Sequence, residues 1–229
     1  MALKLILGNQ NYSSWSLRPW LALKAAEVRF EEQVVPLGTD AFKAALSGLG
    51  TAERVPVLLD GTVVVWDSLA IIEYVAERYT DRHIWPTDPA ARAMARSISA
   101  EVHSGFSGLR RLLPMNLWRP VEVRPLDEAA TRGVERISAI WGAARARFGG
   151  EGDFLFGRFC AADAMYAPVA SRLLTYGVEL DPVSTAYVAA IHAQPDFCAW
   201  RAAALKETWV IPEDEVDWPV VKRVAAPDA

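Results

Sequence analysis

The sequence predicts two units in series: a small mixed α/β domain over residues 1–80 and an all-helical domain over residues 89–229, joined by a linker at 81–88. Three observations predict it. The first eighty residues alternate short apolar runs with helical spacing, in the order strand–helix–strand, helix, strand–strand–helix (βαβαββα). Thr80 to Pro89 then gather two prolines and two aspartates, the composition of a connection. Beyond Pro89 the apolar residues keep helical spacing alone.

The elements follow in order. Leu3 to Leu7 is a short apolar run, read as a buried strand, and Leu17, Trp20, Leu21, Ala25 and Val28 then fall at helical spacing. Glu31 to Pro36 is a second strand, and Asp40 caps a short helix to Leu46. Val57 to Leu59 and Val63 to Trp66 flank the turn pair Asp60-Gly61, a strong hairpin signal. Leu69, Ile72, Val75 and Ala76 return to helical spacing. Asp88-Pro89 supplies a cap followed by proline at the first helical position. From there Ile98, Val102, Phe106, Leu109 and Leu113 predict one helix stopping at Pro114. Leu126 to Phe148 predict another, ended by Gly149-Gly150. Further helices are expected over 161–176, 182–193 and 197–206.

Composition narrows the function classes. Of 229 residues, 52% are hydrophobic and 23% charged, which fits a folded chain rather than a disordered one. A net charge of −4 gives no broad basic footprint, so no nucleic-acid partner is expected. The N-terminal apolar run breaks at Gly8-Asn9, too short for a signal-peptide core, and no run reaches membrane-spanning length. No membrane association is expected. Two cysteines, Cys160 and Cys198, form no C-x-x-C and suit a reducing, cytoplasmic location. The three histidines have no metal-ligand spacing, so no metal is expected. Neither a phosphate loop, a complete G-x-G-x-x-G nor a G-x-S-x-G elbow occurs.

Three segments carry candidate chemistry. Ser13-Ser14-Trp15-Ser16 lies between the first strand and first helix, where a redox-active C-x-x-C would have its thiolate stabilised by the helix N-terminus. Serine hydroxyls cannot exchange disulfides, but they can donate to a thiolate brought by a ligand and lower its pKa. An ordinary serine cap explains the same residues. Arg54-Val55-Pro56 opens a strand, either as a plain edge or as a cis step presenting the Val55 backbone to an extended peptide ligand. Asp67-Ser68 starts a helix, either as a cap or as a site where Ser68 and the helix N-terminus hold a carboxylate and Asp67 an ammonium group.

Together these segments resemble the cytosolic glutathione S-transferase superfamily. The resemblance rests on Tyr12-Ser13-Ser14-Trp15-Ser16-Leu17-Arg18, on Val55-Pro56 and on Asp67 through Tyr74. Trp85-Pro86, Asp88-Pro89, Arg92 and the stretch from Gly157 to Asp163 with Pro168 extend it. The first loop is most similar to the zeta, theta and delta branches, which makes this a serine-type, bacterial-type member. The resemblance implies a thioredoxin-like first domain, a helical second domain and a homodimer. It implies glutathione as co-substrate, with Ser13, then Ser14, as thiolate donor; Val55-Pro56 and Arg54 along the peptide; and Asp67-Ser68 at the γ-glutamyl end. The implied reaction is attack of the sulfur on a small hydrophobic electrophile. Glutathione-dependent cis–trans isomerisation of a maleyl-type diacid is the alternative, although Trp15 stands where the zeta isomerases carry cysteine. A third possibility is a non-catalytic binding module.

The remaining expectations concern packing. Trp20, Trp141 and Trp200 fall on core stripes, whereas Trp15, Trp66, Trp118 and Trp209 are candidates for the cleft. His103 and Asn116 are candidates for the electrophile pocket, Arg18 for a structural ion pair, and Arg110-Arg111 for a solvated or dimer-facing patch. Cys160 replaces the hydroxyl that usually caps the helix before Asp163, which leaves a poorer cap.

Overall fold

Strands β1 (Leu3–Leu7), β2 (Phe30–Val34), β3 (Val57–Asp60) and β4 (Val63–Trp66) form one sheet in the order β2-β1-β3-β4 in the computed structural model, which describes residues 3–215. Residues 1–2 and 216–229, the outer ends of the two expected domains, lie outside the described residues. β1 runs parallel to β2, pairing Leu3 with Phe30 and Leu7 with Val34, and β3 runs antiparallel to both β1 and β4. Alternate residues of a strand face opposite sides of a sheet. Leu5, Leu7 and Leu58 therefore join the main core, while Ile6 and Val57 join a smaller cluster with Phe42 and Leu46. Both faces are covered at β1, which is why its residues other than Lys4 are all apolar.

Helices α1 (Ser14–Ala25) and α3 (Ser68–Arg78) pack together on the main-core face, and α2 (Asp40–Leu46) contributes Phe42 and Leu46 to the other. The remainder is helical: α4 (Pro89–Ser104), α5 (Ser107–Leu112), α6 (Glu128–Ala144), α7 (Ala161–Thr175), α8 (Pro182–Ala193) and α9 (Pro195–Ala204). Almost every residue of α7 is buried, and it packs against α1, α4 and α8. One core thus runs from the sheet through α1 into the helices. A thioredoxin-like first half followed by helices is the expected architecture.

Several details differ from the sequence reading. The stretch expected as one helix to Leu113 breaks at Gly105, whose N–H bonds Glu101 O at 2.9 Å, and Phe106 turns left-handed at φ 59°. Thr39, not Asp40, caps α2, its Oγ1 accepting from Phe42 N at 3.2 Å. In the hairpin Asp60 still pairs with Val63, so the turn is Gly61-Thr62, with Gly61 at φ 61°. Asp60 is held in the strand because its carboxylate accepts from Tyr74 Oη at 2.7 Å and Arg78 Nε at 3.0 Å. Leu126 precedes α6, which Asp127 caps, and a π-type turn at Arg145–Gly149 carries the chain to Gly150. At α7 the Asp163 carboxylate supplies the capping contact, its Oδ2 accepting from Cys160 N at 2.9 Å. Arg92 ties down the connection through the carbonyls of Pro86 and Thr87, both at 3.2 Å. No helix among the described residues is long and apolar enough to cross a membrane.

Candidate active site

The loop after β1 is bound on itself before it enters α1. Asn9 O accepts from Ser13 N at 2.8 Å and Tyr12 N at 3.3 Å, and Asn9 Oδ1 accepts from Leu37 N at 2.9 Å. Ser13 is the N-cap of α1, its Oγ accepting from Ser16 N at 3.3 Å. The Ser13 and Ser16 hydroxyl oxygens lie 2.8 Å apart, and Ser16 Oγ also accepts from Gly8 N at 3.0 Å. The first turn of α1 contains no acidic residue, so the positive end of the helix is not neutralised locally.

Ser14 has a different environment. Its Oγ accepts from Arg172 Nη2 at 2.7 Å, while the same buried guanidinium donates to Leu113 O and Pro168 O. Burial and the neighbouring Arg110 lower the Arg172 pKa to about 10. Ser13 lines a cleft and Ser14 does not.

That cleft encloses about 660 Å³. Ser13, Arg54, Val55, Pro56, Asp67 and Ser68, from three separate parts of the sequence, all line it. The Val55–Pro56 bond is cis. Asp67 adopts φ 75°, a left-handed conformation that a non-glycine residue holds only when its surroundings fix it. One carboxylate oxygen does so: Oδ1 accepts from Leu69 N at 2.9 Å and Ala70 N at 3.3 Å, capping α3. Both readings of Asp67 are therefore geometrically compatible, because Oδ2 remains on the cleft side, 3.2 Å from His103 Nε2. The Ser68 hydroxyl is buried and has no hydrogen-bond partner, and the same holds for Thr51, another lining residue. Unpaired buried hydroxyls are uncommon; these two line the cleft and are free to meet polar ligand groups, while Ser99 and Ser171 carry the same feature elsewhere.

Trp15, Trp66 and His103 complete the lining. Arg18 lies 4.4 Å and Arg110 5.1 Å from the Trp15 ring centroid, and His103 meets it edge-on at 5.1 Å. Among the described residues Arg18 is not the expected ion-pair partner: its Nε and Nη1 are buried without hydrogen bonds, and its guanidinium lies over the Trp15 ring. Burial, Arg110 and Arg172 lower its pKa to about 9. Arg110 donates to the carbonyls of Val102 and His103, whereas exposed Arg111 pairs with Asp127 at 3.8 Å. Burial, with the charges of Arg18 and Arg110, holds the His103 pKa below its ordinary value against the opposing pull of Asp67.

Other candidates belong to packing. Trp118 is fully buried, donating its indole N–H to Ala204 O at 2.7 Å. Asn116 is buried between Asn11 and Glu215, and Trp209 is exposed away from the cleft. Trp20, Trp141 and Trp200 are buried as expected. Sequence reasoning missed Thr51 and the two glutamates of the segment after α9. There Glu207 accepts from Gln10 N at 2.7 Å and Asn11 N at 2.9 Å, while Glu215 accepts from Tyr12 Oη, Asn116 and Arg119. A carboxylate facing two backbone N–H groups leaves no local sequence mark. Among the described residues no group of three His, Cys, Asp or Glu side chains is placed to hold a metal ion.

Known proteins place these features in a family. Residues 12–78 match the family described as glutathione S-transferase, N-terminal domain. A probable maleylacetoacetate isomerase of Caenorhabditis elegans is 39% identical over 104 residues, covering 45% of this chain and 48% of that protein. The chain thus spans about half the length of that relative. Maleylacetoacetate isomerase of Rattus norvegicus is 28% identical over 75% of this chain and 78% of its own. The crystal structure of a Burkholderia glutathione transferase homolog with bound glutathione superposes with a TM-score of 0.68, at 26% identity, over 89% of this chain and 98% of that one. Residues 12–78 thus carry a glutathione S-transferase N-terminal domain, and the chain as a whole is similar in fold to a glutathione transferase homolog.

Proposed function

We propose that the protein is a glutathione transferase in which the Ser13 hydroxyl holds the glutathione thiolate for attack on a small electrophile. One observation carries the reading: Ser13 at the α1 N-terminus, the cis Val55–Pro56 step and Asp67-Ser68 at the α3 N-terminus line the same cleft. In this reading the extended tripeptide pairs with the Val55 main chain, as an added strand does. Its α-carboxylate meets the Ser68 hydroxyl and the start of α3, and its ammonium group meets Asp67. The Arg54 guanidinium faces the carboxylate at the other end. The electrophile occupies the wall of Trp15, Trp66 and His103. A hydrogen bond from Ser13 and the positive end of α1 both favour sulfur as an anion. The sulfur–carbon bond forms as the carbon–leaving-group bond breaks, and the thiol proton passes to solvent. The linker at 81–88 then separates a glutathione-binding domain, 1–80, from a helical domain, 89–229, in a cytoplasmic homodimer.

A second reaction on the same cleft is supported by the relatives' names and by charge. Two relatives are named as maleylacetoacetate isomerases. Burial lowers the pKa of Arg18 and of Arg172, and the charge of Arg110 beside them lowers both further, a positive field that suits a substrate carrying carboxylates. Trp15 in the place of the isomerases' cysteine argues for conjugation instead.

Calorimetric titration with glutathione, combined with the ultraviolet thiolate signal of the bound thiol, tests the proposal. The expected result is binding with a thiol pKa well below that of free glutathione, reversed by Ser13→Ala and unaffected by Ser14→Ala. Absence of binding rejects both reactions, and binding without a thiolate shift marks a binding module. Parallel assays with an aryl halide and a maleyl diacid then separate conjugation from isomerisation. Light scattering in solution tests the homodimer.

A further inference from the structure

We propose that Ser16 is a positioning residue that sets the direction of the Ser13 proton, so that the hydroxyls of Ser13 and Ser16 act as one chain ending on the ligand sulfur. The proposal rests on the reading of Ser13 as thiolate donor. Its basis is an inventory of protons and lone pairs. A serine hydroxyl has one proton to give and two lone pairs to accept with. Ser13 Oγ already accepts the Ser16 backbone N–H at 3.3 Å, and Ser16 Oγ lies 2.8 Å away. Ser16 Oγ accepts Gly8 N–H at 3.0 Å and is fully buried, so its partners within the protein are fixed.

Two proton arrangements fit this geometry. In one, Ser13 donates to Ser16 and has nothing left for the sulfur. In the other, Ser16 donates to Ser13, which fills both Ser13 lone pairs and leaves the Ser13 proton for the cleft. A thiolate selects the second arrangement, because an anion is a stronger acceptor than a neutral hydroxyl. The chain then runs from Gly8 N–H through Ser16 and Ser13 to sulfur, each bond polarising the next. Gly8 anchors the far end beside the cleft-lining residues Leu37 and Val55. A Cβ there would lie 2.9 Å from Leu37 and 3.1 Å from Val55, so the backbone donor is packed against the residue proposed to pair with the peptide.

A serine that only fastened β1 to α1 would affect stability without affecting the thiol. The test therefore titrates the thiolate absorbance of bound glutathione in the full-length protein and in Ser13→Ala, Ser16→Ala and Ser16→Thr. Affinity for S-methylglutathione, which has no thiol proton, reports whether the site is intact. Ser16→Ala is expected to keep that affinity within twofold and to raise the bound thiol pKa by about half a unit. At pH below that pKa the conjugation rate then falls about threefold, and it recovers at high pH. Ser16→Thr is expected to restore the original pKa. An unchanged thiol pKa in Ser16→Ala overturns the proposal. If the unmutated protein shows no depressed pKa, or Ser13→Ala does not reverse it, the failure lies in the assignment of Ser13 instead. Neutron diffraction from the unmutated glutathione complex reads the same point without a substitution. A deuteron on Ser16 directed at Ser13 supports the chain, and one on Ser13 directed at Ser16 overturns it.

Discussion

Ser13 and Ser14 are the same residue type one position apart, and their surroundings assign them opposite work. A one-residue step at a helix start turns a side chain by about 100°, so Ser13 lines the cleft while Ser14 meets Arg172 from the helical half. The family resemblance put Ser13 before Ser14, but the residues themselves do not show which member faces outward, because Arg172 lies 158 residues away. Asp67 was legible as a cap, and its second oxygen was not, since His103 reaches it from α4. Arg18 departs furthest from expectation: an isolated arginine reads as half of an ion pair, yet the fold lays it on Trp15. The Ser14 contact yields a prediction. Ser14→Ala removes an acceptor from a buried guanidinium, and a bond to a charged group contributes about 1.5–3 kcal/mol. The variant should lose about 2 kcal/mol, lowering Tm by about 4–8 °C in a thermal melt for a chain of this size. Its bound-thiol pKa should stay that of the unmutated protein. A stable variant with a raised thiol pKa would exchange the roles of the two serines.

Elements were legible where local chemistry marks both ends. The hairpin glycine, Asp88-Pro89 and Pro182 all stand at observed boundaries. Periodicity alone was weaker. The steps through Phe106 satisfy a helix, but Gly105 ends α4 and Phe106 starts α5 on a new axis, and both segments still bury their apolar residues. In sequence, the segment after α9 pointed to Trp209 for the cleft and gave no sign of Glu207. Its apolar residues Trp209 and Val210 are exposed, and its function lies in Glu207, which spans 197 residues to reach Gln10 N. Burial raises the Glu207 pKa, and the two N–H groups counteract it. Glu207→Gln keeps the shape but offers one good acceptor where two donors converge, and it turns an amide NH₂ toward a backbone N–H. An unpaired buried donor costs about 1–3 kcal/mol. The urea midpoint should fall accordingly, and amide hydrogen exchange should quicken at Asn9 to Ser13, ahead of the sheet. Exchange that quickens everywhere equally would mean that the segment supports the whole fold rather than this loop.

The core crosses from sheet to helices without a seam, so protonation events far from the cleft bear on the stability of the whole chain. Two buried groups in the helical half act with opposite sign. Asp163 sits at the start of α7, accepting from Leu155 N, Cys160 N and Tyr187 Oη, and burial raises its pKa from 3.8 to about 6. His192, on α8, has a buried Nε2 without a partner, and burial together with Arg201 lowers its pKa from 6.5 to about 4. On acidification from pH 6.5 to 4 the folded state takes up a proton at Asp163 before the unfolded state does, which stabilises the fold. Over the same window the unfolded state takes up a proton at His192 before the folded state does, which destabilises it. Shifts of about two units make each contribution roughly 2–3 kcal/mol, so the two nearly offset. Removing either one should expose the other. Relative to the unmutated protein, Asp163→Asn should lose roughly 2–3 kcal/mol more between pH 6.5 and 4, beyond its constant cost for mispaired N–H groups. His192→Gln should instead gain roughly 2–3 kcal/mol over the same interval. Urea midpoints at the two pH values measure both. If Asp163→Asn follows the pH dependence of the unmutated protein, the carboxylate is already ionised at pH 4, and its three donors outweigh its burial.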